Sequence, residues 1–253
     1  MSKSLSQRVF DQLVDSSDDR CAGISERACK VAPGNFLRIV GANFFTKLGD
    51  AIVSPKVTLA WLMGTAGAPA FLVGLLVPIR ESGSLLPQLI IAGYISRLAI
   101  RKKVWIAGAV VQALAIAGIG LVALFLDGQV AGWSIIALLV LFSLARAFSS
   151  ITSKDVLGKI IPKAQRGQAT GWAASAAGLV TLGVGAFLIL GIGQSGDVVF
   201  YAWLVILAAG LWLVAAVIYA FINEYEGETR GHQACSCLLY TSPSPRDKIH
   251  DLV

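Results

Sequence analysis

From about residue 37 to residue 222 the chain is apolar almost without interruption, in six runs at about 37–62, 68–96, 104–126, 133–156, 168–192 and 199–222. A helix needs about 20 residues to cross the hydrocarbon core of a bilayer, and each run supplies them. Runs this long leave no wet face for a soluble fold. They predict an all-α polytopic membrane protein with six transmembrane helices and the lipid bilayer as its first partner. Composition agrees: 56% of the 253 residues are hydrophobic and 14% charged, with a mean hydropathy of +0.72, outside ordinary globular usage.

The formal charge of +6 does not point to nucleic acid, because the basic residues sit in short loops between apolar runs. Loops 65–67, 127–132 and 193–197 carry no Lys or Arg, whereas 97–103 and 154–166 carry four each. By the positive-inside rule this alternation sets both termini in the cytoplasm of an integral, cell (inner) membrane protein. Residues 1–35 read as a polar cytoplasmic arm, with no cleavable signal, since the first long apolar run begins only near Phe36. Trp61, Trp105, Trp133 and Trp203 lie near the ends of runs, where indoles favour the interface. Cys21, Cys29, Cys235 and Cys237 fall outside every run and lack the spacing of a zinc site. They read as reduced thiols, and neither metal nor cofactor is expected.

Within the runs, polar residues mark a candidate cavity. Asn43, Lys47, Asp50 and Ser54 recur at spacings of four, three and four, on one helical face. At about 1.5 Å per residue, Lys47 and Asp50 come roughly 15 and 20 Å above the cytoplasmic end. The stretch 77–103 adds Arg80, Glu81 and Gln88 from the second run, and Arg146 lies mid-span in the fourth, with Ser149, Ser150 and Ser153 on its face. Charge at membrane depth is costly unless it faces protein or water, so these residues predict a substrate or ion-coupling cavity. Mutual neutralisation that fixes helix register is the alternative for any one of them. As a set, the cations outnumber the carboxylates, which favours a hydrated space. Lys56, near the outer end, can snorkel away.

Small residues in the fifth run (Gly171, Ala174, Ser175, Gly178 and Ala186), with Gly118 in the third, predict close helix approach. Pro78 and Pro87 bracket the Arg80 and Glu81 pair and predict a kink there.

The loop Gly93-Tyr-Ile-Ser96-Arg97-Leu-Ala99-Ile-Arg101-Lys102 resembles the major facilitator superfamily motif G-x-x-x-D-R-x-G-R-[RK] between the second and third helices. Gly93, Arg101 and Lys102 match in one register; Arg97 matches the motif's first arginine one residue out of it, with Ser96 and Ala99 in place of the acidic residue and the second glycine. Arg146 matches the arginine of the fourth-helix motif R-x-x-Q-G, with Ser149 and Ser150 in place of Gln and Gly, and residues 163–171 resemble the usual loop into the fifth helix. The resemblance covers residues 35 to 225. It implies the N-terminal half of a transporter, folded over 36–222 as two inverted three-helix repeats around a midplane site. The implied activity is secondary active transport of a small solute by alternating access, with proton coupling as one option. The implied gate is the basic loop of Gly93, Arg97, Arg101 and Lys102. Because Ser96 cannot pair with cations, Arg97 and Arg101 need other partners, for which Asp155 and Glu224 are at hand.

Residues 223–234 then read as the start of a cytoplasmic central loop. From about residue 235 the chain contains CLLYTSPSPRD, which resembles translated read-through of a sequencing adapter and is expected to be a non-native tail over 235–253. The resemblance implies a further, missing six-helix half as partner. A complete six-helix protein acting as a dimer or structural subunit is the alternative. An intramembrane enzyme is disfavoured, since His232 and His250 both lie outside the runs.

Overall fold

The computed structural model of the chain describes residues 26–85, 100–187 and 198–224. Among the described residues there are helices and short connections only: α1 (Glu26–Ile52), α2 (Thr58–Thr65), α3 (Ala70–Leu85), α4 (Lys102–Phe125), α5 (Gly128–Ile160), α6 (Lys163–Phe187) and α7 (Val198–Ala220). Three of them, α4, α5 and α7, are long and apolar enough to cross a membrane.

The first apolar run does not make one helix. Its helix is present from Glu26, eleven residues ahead of the run and within the expected arm, passes through Pro33 and ends at Ile52. Pro55 explains the stop: it has no N–H to donate, and its ring disfavours helical geometry at Ser54. The chain turns over 53–57 and restarts as α2, with the Thr58 hydroxyl donating to the Ile52 carbonyl at 2.6 Å and the Leu59 N–H to Ser54 at 3.0 Å. Ser54 therefore leaves the face it was expected to share with Asp50.

Helix α4 packs against α5 and α7, α1 against α6 and α7, and α3 against α5. Helices α4 and α7 approach closely at Gly120, where a Cβ would lie 2.5 Å from Ile206 Cγ1 and 2.9 Å from the Ala202 carbonyl. At Gly49 of α1 a Cβ would meet the Trp212 ring at 2.9 Å. These contacts use small residues as membrane helices do, but they are not those the fifth run suggested. Gly171 and Gly178 of α6 have nothing within 4 Å of an added Cβ, whereas Gly118 does pack against Leu138.

Two large apolar clusters fill most of the interior. One gathers Leu59, Leu62, Leu72, Ile116, Phe142 and Trp212; the other gathers Phe36, Trp105, Ala109, Val156, Ile160 and Tyr219. Along α1, α4 and α5 the polar residues Asp50, Gln112 and Arg146 fall between the positions that feed the two clusters. The core is thus split by a polar layer.

Loops sort by charge between the two ends of the bundle. At one end the Gly128 N–H donates to the Ala66 carbonyl at 2.6 Å, joining two loops without Lys or Arg. At the other, Arg101 pairs with Asp155 at 3.3 Å. The outer surface is apolar, with Phe125 78%, Leu182 72% and Leu207 70% exposed. In water each Å² of such surface costs about 25 cal/mol; lipid removes that cost.

Trp105, in the first turn of α4, is buried and stacks on Tyr219, with ring centroids 3.8 Å apart; Trp133 and Trp203 are exposed. Cys29 is disulfide-bonded, not a reduced thiol.

Candidate functional site

The break at Pro55 creates the first part of the site. A helix that ends at Ile52 leaves carbonyls without intrahelical partners, and these carry partial negative charge. Arg80, projecting from α3, answers both that charge and the neighbouring carboxylate. One guanidinium nitrogen donates to the Val53 carbonyl at 3.0 Å and another to Asp50 Oδ1 at 2.9 Å. The face of the same guanidinium lies 5.1 Å from the Phe142 ring centroid, a cation–π distance. Arg146 of α5 donates to the second carboxylate oxygen, Asp50 Oδ2. One carboxylate therefore bridges two arginines across three helices, and the triad keeps a net positive charge. Its side chains are only 15% (Arg80), 17% (Asp50) and 33% (Arg146) exposed.

Arg146 also forms a wall of the second part, a cavity of about 260 Å³. Asn43, Thr46 and Lys47 of α1 line one side, and Ser149, Ser150, Ser153 and Lys154 of α5 the other, with Trp105, Gln112, Leu157 and Thr170 completing it. Among the described residues, no carboxylate lines it. Gln112 is buried in an apolar helix, where its amide nitrogen donates to Ser149 Oγ at 2.9 Å and to the Gly108 carbonyl at 3.1 Å. Its Oε1 has no hydrogen-bond partner among the described residues. A buried acceptor left open costs about 1–3 kcal/mol, so water or a ligand group is its natural complement.

The third part closes the basic end. Glu224, past the end of α7, has a fully buried carboxylate that accepts the backbone N–H of Arg101 at 3.0 Å and of Lys102 at 2.7 Å, and pairs with Lys159 Nζ at 3.0 Å. It thus caps the N-terminus of α4, where the helix dipole favours an anion. Lys102 returns the arrangement: its ammonium donates to the carbonyls of Ile222 at 2.8 Å and Ala220 at 3.3 Å at the C-terminal end of α7. Asn35 of α1 exchanges two hydrogen bonds with the Asn223 backbone, at 3.0 and 3.1 Å.

Of the residues singled out in the sequence, Asp50, Arg80 and Arg146 meet in the triad, and Asn43, Lys47 and Arg146 line the cavity. Glu81 does not join them: its side chain is exposed, and it forms no ion pair among the described residues. The reason is helical geometry, since adjacent residues project about 100° apart and Arg80 takes the inward direction. In the expected gating loop, Arg101 meets both of the partners proposed for it, Asp155 through its side chain and Glu224 through its backbone. Gln88, Gly93 and Arg97 lie outside the described residues. Thr46, Gln112, Lys154 and Thr170 were not anticipated. Gln112 was detectable as a lone amide inside an apolar run, whereas Lys154 looked like one more loop cation.

Comparison with protein-family models, with curated proteins and with solved structures finds no match to this chain.

Proposed function

We propose that this chain is the six-helix N-terminal half of a secondary active transporter of major facilitator type, a non-enzymatic protein that moves a small solute across the cell membrane by alternating access. The observation that carries the reading is a polar, cation-lined cavity inside a bundle whose outside is apolar. That is a soluble protein turned inside out, and the polar interior has no purpose in lipid unless something polar enters it.

The neighbour pattern of the helices supports two repeats. If α1, α3 and α4 are exchanged in order for α5, α6 and α7, the pair α1 with α7 becomes α5 with α4, and α1 with α6 becomes α5 with α3; α4 with α7 maps onto itself. An odd number of spans per repeat makes the second copy enter from the opposite side, which is an inverted repeat. In this reading α1 with α2 forms the first span, and the basic end carrying Arg101 and Lys159 faces the cytoplasm. The open small-residue side of α6 suits packing against the second six-helix half that the resemblance implies.

Asp50 is the coupling element in this scheme. Its protonation removes the charge that holds Arg80 and Arg146 together, which frees α3 and α5 to move relative to α1. The test is flux in proteoliposomes containing the chain joined to its second half, screened against labelled small solutes with and without an imposed proton gradient. Saturable uptake above that of empty liposomes is expected; its absence for every solute class removes the transport reading.

A further inference from the structure

We infer that the cavity is an oxyanion site, taking a carboxylate or phosphate group through Lys47, Arg146 and Lys154. The inference rests on the transport reading for the claim that this group belongs to a carried solute; the binding chemistry itself rests on the side chains. Three cations face a space that no carboxylate lines among the described residues. The nearby acids are already engaged: Asp50 with Arg80 and Arg146, Asp155 with Arg101, and Glu224 with Lys159 and two backbone N–H groups. Lys47 and Lys154 form no ion pair among the described residues. Lys47 also lies well inside α1, five residues before its end at Ile52. It is not placed to snorkel to an interface as a terminal lysine is.

A positive charge so placed needs a counter-anion or water, and the hydroxyls of Ser149 and Ser150 add neutral donors beside it. Charge-assisted hydrogen bonds to carboxylate or phosphate oxygens are about twice as strong as neutral ones, so this lining selects anions over neutral or cationic solutes. The cavity volume, about 260 Å³, lies near the lower end of small-molecule sites, roughly 300–1,000 Å³. A small anion fits it better than a bulky amphiphile. Arg146 links the site to the triad, because an oxyanion that reaches its guanidinium competes with Asp50 for the same donors.

The experiment measures equilibrium binding to the purified full chain in a neutral detergent, using inorganic phosphate and succinate as anionic probes and tetraethylammonium as a cationic one. Saturable binding of either anion, with none of the cation, is expected. It should weaken by at least about tenfold in a variant carrying Lys47→Gln and Lys154→Gln, as the loss of two charged donors requires. Both lysines are exposed, so the variant should fold, and an unchanged melting profile checks it. A parallel arm offers phosphatidylglycerol and phosphatidylcholine in nanodiscs. Selective retention of the anionic lipid, lost in the double variant, supports the oxyanion site and assigns it to a headgroup. Binding of the cation, no binding of any anion, or equal anion binding in the double variant overturns the inference. No gradient is involved, so a failure of transport leaves a positive result standing, and transport of a cationic solute without anion binding removes only the oxyanion claim.

Discussion

Asp50 and Glu224 are two carboxylates placed against cations in the same bundle, yet the means by which they are held differ. The Glu224 side chain is fully buried and accepts two backbone N–H groups at the start of α4 as well as the Lys159 ammonium. Backbone donors move only if the helix moves, so this contact is a fixed joint between α4, α5 and the end of α7. Asp50 is 17% exposed and its partners are two arginine side chains from two other helices. Side chains can let go. A structural clamp at the basic end thus differs from an exchangeable contact in the middle, and in the proposed transport scheme Asp50 is the part that moves.

Breaking the clamp should have the largest effect. Glu224→Ala leaves Lys159 and the α4 N–H groups without their acceptor, and removing one partner of a buried charge pair costs about 3–5 kcal/mol. Denaturation with increasing dodecyl sulfate in mixed micelles measures this, and a loss below that of any Asp50 variant would reverse the assignment of roles. Asp50→Asn comes second for stability, at roughly 1–3 kcal/mol, because the arginines keep a neutral acceptor and some solvent. Its functional effect should be sharper: proton-driven flux abolished while counterflow exchange survives. Driven flux at the parent rate would make Asp50 a structural counter-ion. Glu81→Gln should do least, within about 0.5 kcal/mol in the same denaturation assay, as expected of an exposed side chain with no ion pair among the described residues. Loss of coupling in this variant and not in Asp50→Asn would move the switch to the outer face of α3.

Much of this arrangement was legible in the sequence, and the parts that were not have physical reasons. The runs at 104–126 and 199–222 anticipate Lys102–Phe125 and Val198–Ala220 closely, because an apolar helix bounded by charged or turn residues announces its ends. The run at 133–156 is too short: α5 spans Gly128–Ile160, since helical hydrogen bonding continues past the apolar stretch at both ends. The first run hides a helix break, because hydropathy is blind to the missing N–H of Pro55. That break matters for the site, since it frees the Val53 carbonyl that Arg80 binds. The convergence of Asp50, Arg80 and Arg146 was readable from depth along each helix. The exclusion of Glu81 was readable too, had direction been weighed with depth.

The central claim is that polar residues surround a wet cavity while the apolar surface meets lipid, and solvent accessibility tests it most directly. In a background without other cysteines, Ser150→Cys inside the cavity and Leu182→Cys on the outer surface would each be introduced, and the protein reconstituted in vesicles. A spin label at each position then reports its surroundings through collision with a water-soluble nickel complex and with lipid-soluble oxygen. The account predicts that the label at position 150 relaxes chiefly by nickel and that at 182 chiefly by oxygen. Oxygen dominance at both positions would contradict it, because the cavity would then be dry and closed to any polar solute.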